Sequence, residues 1–318
     1  MNFVPGSIRI FYGPDTDPVS GTVKWKPAKS LWIGAMTAVA IVLGPLTFRW
    51  DALAVFLLLS GITLCAGHSV GMHRRMVHYA FDCPLWLEYG LIELGVLVGM
   101  TGPFGIIRQH DVRDWSKRQP DCHAFLCHRR SIWRDYFERL HCELHQPNGP
   151  ELRLEPRLAD DVVYNRFERT WRWHQLPLAI ALFALGGWSW VVWGVAVRVT
   201  VCVTSHWLIS YYAHRQGPQT WIVRGAGVQG YNLPVAALFS MGESWHNNHH
   251  AFPASAQIGL YPDQPDPGWW LIVVLQRFGL AWDVNTPETL PPSPALQRLA
   301  NGHVGWRVLH PFGPHGSS

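Results

Sequence analysis

Charge is what this 318-residue chain has least of: 15% of its residues are charged, against roughly a quarter in an ordinary soluble domain. The deficit excludes intrinsic disorder and a nucleic-acid-binding arm, and a formal net charge of +4 is too mild to specify an anionic partner. Cysteine is also sparse. The six, Cys65, Cys83, Cys122, Cys127, Cys142 and Cys202, lack the spacing of a secreted disulfide framework, and no basic-then-apolar leader opens the chain. The expectation is a reduced protein facing the cytoplasm. No internal repeat is visible.

What is abundant is apolar surface: 48% of residues are hydrophobic and 18 are Trp. Half the charges, 24 of 48, fall within residues 108–172, which leaves the rest nearly uncharged. Residues 31–48 and 52–73 carry no charge with His neutral, and 175–213 carries only Arg198. Each run is long enough to cross hydrocarbon, which takes roughly 20 apolar residues at about 1.5 Å each. Arg9, Lys24, Lys26 and Lys29 outnumber Asp15 and Asp17 before the first run, so the positive-inside rule puts the N-terminus in the cytoplasm.

The pattern predicts an all-α integral membrane protein with four transmembrane helices and a cytoplasmic helical cap, most naturally in a bacterial inner membrane. Its parts are an N-terminal segment 1–30, a first hairpin 31–73, a cap 74–172, a second hairpin 173–213 divided at Gly186-Gly187, further cap 214–285, and a loosely ordered Pro-rich tail 286–318. Within the cap, 84–107 is as long as a span but holds Glu88 and Glu93, so it is read as interfacial or re-entrant. Arg198, deep in the fourth span, is expected to pair with Glu88 or Glu93.

The 17 histidines gather at the cytoplasmic ends of these spans. His246, His249 and His250 are related as i, i+3 and i+4, which lets three imidazoles converge from one helical face. His73 and His78 are five apart, about 140° around an α-helix, so they flank one metal only where the helix end frays. Imidazole suits iron, zinc and copper, and an all-histidine site with open positions suits oxygen chemistry at iron. Cys122-x4-Cys127-x13-His141-x3-His145 nearly meets a zinc-finger spacing, but the residues between read as one continuous amphipathic helix.

The segments GMHRRMVHYAF (71–81), AHRQG (213–217) and MGESWHNNHHAFP (241–253), with SAQIGL after them, resemble the integral-membrane fatty acid desaturases of the acyl-CoA desaturase type over about residues 30–285. The resemblance implies two non-haem irons, O2 as co-substrate, and the removal of two hydrogens from a fatty acyl chain carried as acyl-CoA or acyl-lipid. It places ligands at His73, His78, His110, His214, His246, His249 and His250, and sets Asn232 where the family has an Asn before its last box. Two departures stand out. The second box reads HDVRD, keeping His110 but placing Arg113 and Asp114 where the family has paired histidines, and Ser210 stands where an Asn precedes His214. These leave open a dead site, a one-metal site, or a di-iron site with carboxylates substituting; the last is favoured, with Asp114 as ligand and Asp111 as a further candidate. His68 and His206 are the other possible replacements.

The same centre would serve a lipid hydroxylase, and a non-catalytic homologue stripped of metal is the rival from another class. No His-Pro-Gly-Gly haem signature occurs, so electrons are expected from a separate ferredoxin, rubredoxin or cytochrome.

Overall fold

Pro27 opens the first long helix because its missing N–H is an orphan at that position anyway. In the computed structural model, which describes residues 9–300, α1 (Pro27–Leu46) turns through three residues into α2 (Trp50–Ile62), and α2 continues without a break as a π-helix over Thr63–Val77. Three helical stretches are long and apolar enough to cross a membrane: Pro27–Leu46, Trp50–Val77 and Gln175–Ala213. Leu31, Leu46, Leu58, Leu185 and Trp188 stand exposed on them, as lipid-facing side chains do. This is a membrane protein.

The last stretch comprises α8 (Gln175–Val191), a π-helical turn (Val192–Val197) and α9 (Arg198–Ala213). It is not straight. Gly187 takes φ 69°, ψ −161°, and a Cβ placed on Gly194 would meet Leu182 Cδ1 at 2.6 Å. Twelve residues of continuous helix would separate those two by about 18 Å, so the chain folds back at Gly187. The reversal lies beside the α1–α2 turn, where Trp190 Nε1 donates to Asp51 Oδ2 at 3.1 Å.

Arg198 pairs with neither Glu88 nor Glu93. Its guanidinium donates to Gly194 O, Leu97 O and Gln175 Oε1 at 2.6–2.7 Å. A carbonyl of its own preceding turn, one at the end of α3 and the Gln175 side-chain amide satisfy the cation instead. Glu88 is instead buried between Arg75, Arg157 and the Tyr164 hydroxyl, while Glu93 accepts from His174.

Beside the long helices lie α3 (Leu85–Leu97), α4 (Pro103–Arg118), α5 (Ile132–His141), α6 (Pro156–Ala159), α7 (Val162–Thr170), α10 (His246–Ala251) and α11 (Pro267–Arg277). At 13 residues, or about 20 Å, α3 is shorter than a span. It lies so close to the π-helix that a Cβ on Gly67 would sit 2.3 Å from Leu94 C. Helix α5 starts only at Ile132, so the amphipathic stretch before it is not continuous helix.

The all-α expectation needs correction at the edges. Antiparallel ribbons join β1 (Ile10–Phe11) to β4 (Glu151–Leu152), β2 (Thr22–Trp25) to β3 (Cys142–His145), and β5 (Trp221–Val223) to β6 (Leu296–Arg298). Backbone groups outside the helices need partners, and short ribbons supply them. The last ribbon also corrects the loose tail, since residues 296–298 are paired; residues 301–318 lie outside the described part.

Buried ion pairs clamp the cap to the π-helix. Arg74 is 1% exposed; it donates to Ala256 O at 2.6 Å and to Asp266 Oδ1 at 2.7 Å, while Asp266 accepts from the backbone N–H groups of Ile258, Gly259 and Trp269. Removing one member of such a pair strands the other charge. Arg74→Met should therefore cost roughly 3–5 kcal/mol of stability, measured as a lowered unfolding midpoint in detergent, with Arg74→Lys losing less.

Candidate metal centre

The π-helix decides where the first histidines point. An α-helix turns 100° per residue, whereas a π-helix closes i→i+5 bonds and brings residues five apart into line. His78 N donates to His73 O at 3.1 Å, and the two rings meet edge-to-face instead of diverging, with Nε2 atoms 3.2 Å apart. His110 on α4 brings its Nε2 to 3.1 Å from that of His78. His249 from α10 completes a nest of four imidazoles, each offering a nitrogen within 4.8 Å of the others.

A second nest, with the same limit on spacing, comprises His214 at the end of α9 and His246 and His250 on α10. Its Nε2 atoms lie 3.0 Å (His214–His246) and 3.1 Å (His246–His250) apart. Separations near 3 Å are those of imidazoles set at right angles about 2.1 Å from a common ion. The expectation that His246, His249 and His250 converge on one point is thus corrected: α10 runs between the nests, and the i+3 residue turns to the far side.

Each anchored ring is held by its other nitrogen. His73 Nδ1 lies 2.5 Å from Glu243 Oε2, His110 Nδ1 donates to Asp111 Oδ1 at 3.1 Å, and His214 Nδ1 donates to Ser210 O at 2.7 Å. A proton fixed on Nδ1 leaves Nε2 bare, the usual device behind metal-bound histidine. Burial pushes His214, His246 and His249 well below the ordinary histidine range and His250 down to about 3. Burial thus favours the neutral base in these four rings. Both nitrogens of His249 are buried without a hydrogen-bond partner, a cost of roughly 1–3 kcal/mol per group that a coordinated cation would remove. The donor set fits a first-row transition metal.

Around the nests the structure sorts the remaining candidates. Asp114 projects between them: Oδ2 is 3.8 Å from His110 Nε2, and although burial works against its charge, His110, His250 and Lys117 hold its carboxyl well below the usual range. Asp111 faces away, bonded to His110 and to Arg9 Nη1 at 3.2 Å. His68 and His206 pair with each other, ring centroids 4.7 Å apart, and line a cavity of about 190 Å³ beside the nests together with Leu64, Met100 and Val203. Asn232 Oδ1 accepts from the backbone N–H groups of Asn247 and Asn248, fixing the start of α10. Cys122 and Cys127 pack with Val228 while His141 bonds Ser30, so these three do not gather as a zinc finger would hold them.

Several participants were not singled out from the sequence. Glu243, held by Ser69 Oγ at 2.6 Å as well as by His73, had a signal, being a lone acid three residues before the last box. Burial works against its charge, but His73 and Arg74 hold its carboxyl below the usual range. Arg113, read from sequence as a departure, donates to Ser210 Oγ at 2.8 Å and to His128 Nε2 at 2.6 Å, while His128 Nδ1 donates to Asp135 at 2.9 Å. The two departures from the family pattern therefore touch. Lys117 reaches His214 Nε2 at 2.5 Å.

Long apolar helices with two histidine nests beside them define the class of membrane proteins that gather metal-binding imidazoles from several helices. The comparisons name the family. The chain is 35% identical over 260 residues to the sn-1 stearoyl-lipid 9-desaturase of Anabaena variabilis, covering 81% of this chain and 91% of the relative. It is 33% identical to the chloroplastic palmitoyl-monogalactosyldiacylglycerol delta-7 desaturase of Arabidopsis thaliana, covering 81% and 68%, and 29% identical to the acyl-CoA C20 Delta5-desaturase of Anemone leveillei, covering 82% of each. No family model matches the chain. The protein belongs to the fatty acid desaturases, oxidoreductases acting on fatty acyl chains.

If Glu243 orients His73 for a metal, Glu243→Gln should weaken metal affinity about 10–100-fold while the spans stay folded. Metal retained against graded chelator measures it.

Proposed function

We propose that two iron ions occupy the nests, one held by His73, His78, His110 and His249 and the other by His214, His246 and His250, with Asp114 contributing a carboxylate oxygen between them. The observation that carries this reading is the near-3 Å convergence of Nε2 atoms in both nests. When bound, iron with dioxygen and two external electrons supplies oxidising power that no side chain has. The chain's own part is to bind and orient. Asp111, Glu243 and the Ser210 carbonyl fix ring tautomers, the buried cap excludes water, and the cavity beside His206 registers one stretch of an acyl-CoA or acyl-lipid chain against the nests. Electrons come from a separate ferredoxin, rubredoxin or cytochrome.

The same reading assigns four spans, with the fold-back at Gly187 making two of the last stretch, and puts the cap on the cytoplasmic face of a bacterial inner membrane. Lys24, Lys26 and Lys29 before α1, against the balanced Arg49–Asp51 turn at its far end, support that orientation.

Lipid analysis of cells expressing the protein should show a new double bond in acyl chains; a hydroxylated product instead would point to the related oxygenation chemistry. His249→Ala and Asp114→Asn should each lose iron and product together, and full iron with normal product in Asp114→Asn would remove it from the ligand set. Cysteines introduced into residues 108–172 and after 214 should resist an impermeant thiol reagent applied to intact cells, and labelling of either region would overturn the orientation.

A further inference from the structure

The nests differ in the charge around them. Carboxylates stand behind the first, Glu243 on His73 and Asp111 on His110, whereas the amine of Lys117 stands at the second. His110, Asp114 and Lys117 occupy i, i+4 and i+7 of α4 and so form one stripe: His110 lies in the first nest, Asp114 between, and Lys117 at the second. Lys117 is 3% exposed and its Nζ lies 2.5 Å from His214 Nε2. Because His214 Nδ1 is committed to Ser210 O, Nε2 carries the only lone pair this ring has for a metal, and Lys117 already donates to it. An amine has an N–H to donate there with or without its third proton. Two ligands of one ion stand about 3 Å apart, as His214 and His246 do; 2.5 Å is hydrogen-bond contact, not co-ligand spacing.

An ion in the second nest must therefore displace the amine. The carboxylate that acts on Lys117 is Asp114, which the reading above assigns to iron. Nor can the helix draw back, since its end is pinned by Val228 N to Lys117 O at 3.1 Å and Gly227 N to Gln119 O at 2.9 Å. We propose that Lys117 competes with the metal for His214 Nε2 and Asp114, making the second nest the weaker half of the centre, so that a form with one ferrous ion, in the first nest, is stable between the metal-free and fully loaded states. This rests on the two-iron reading.

The test is anaerobic loading with ferrous iron followed by chelator at graded strength, counting the iron retained. The full-length protein should release two irons in two steps at least tenfold apart in chelator strength. His246→Ala should delete the weak step and His78→Ala the tight one. Lys117→Met should tighten the weak step at least tenfold with the tight step unmoved, and Lys117→Arg should keep the gap; should Met at this position prevent folding, Lys117→Ala carries the same expectation. Release of both irons in a single step by the unaltered protein would overturn the proposal on its own. So would loss of the weak step in Lys117→Met, which would make the amine a ligand, or no change in it. One iron in every variant, or zinc alone, would instead overturn the two-iron reading itself.

Discussion

Bringing seven imidazoles together away from water demands that their nitrogens be aimed at common points, and for His73, His110 and His214 the architecture does this by holding the other ring nitrogen. A misaimed ring would be a buried polar group without a partner. The supporting groups come from distant places in the chain. Asp111 on α4 is itself held by Arg9 from the N-terminal segment, which also donates to Met76 O and Val77 O at the end of the π-helix. Ser69 and Arg74 on that same helix hold Glu243 against His73. One polar lattice thus terminates the helix, anchors the loop before the last box and fixes two tautomers.

The altered second box is rebuilt rather than simply eroded. With Arg113 replacing an imidazole and Ser210 replacing an amide, the guanidinium reaches Ser210 Oγ, and His128, oriented by Asp135, accepts from the same nitrogen. Ser210 Oγ and His128 Nε2 both meet Arg113 Nη2, which gives one end of the guanidinium partners at the wall of a histidine nest.

How far the sequence could be read follows from which forces are local. The apolar runs and histidine boxes are written in consecutive residues, so the spanning stretches and the histidine segments could be found from composition and spacing. The pairing of His73 with His78 could not. It depends on π-helical winding, found in a segment packed tightly on α3 at Gly67 and Gly71, which residue spacing alone does not reveal. The same limit applies to Arg198. Charge complementarity suggested a carboxylate, but the structure gives it backbone carbonyls whose positions only the folded bundle defines.

The distance between the nests has one main determinant, the six-residue helix α10, because it alone supplies rings to both. Its placement does not come from apolar packing. Asn247 receives Trp221 N and Thr220 N and donates to Gly230 O, Asn248 donates to Ile258 O and Gln264 Oε1, and Asn232 accepts from the first turn. Amides suit this task because each offers a donor and an acceptor of fixed geometry without adding charge. A carboxylate at either position would compete with the nests for cations, and an apolar residue would let so short a helix slide, since helices of this length have little stability of their own. The two asparagines between the histidines are therefore as much a part of the centre's geometry as the histidines they separate.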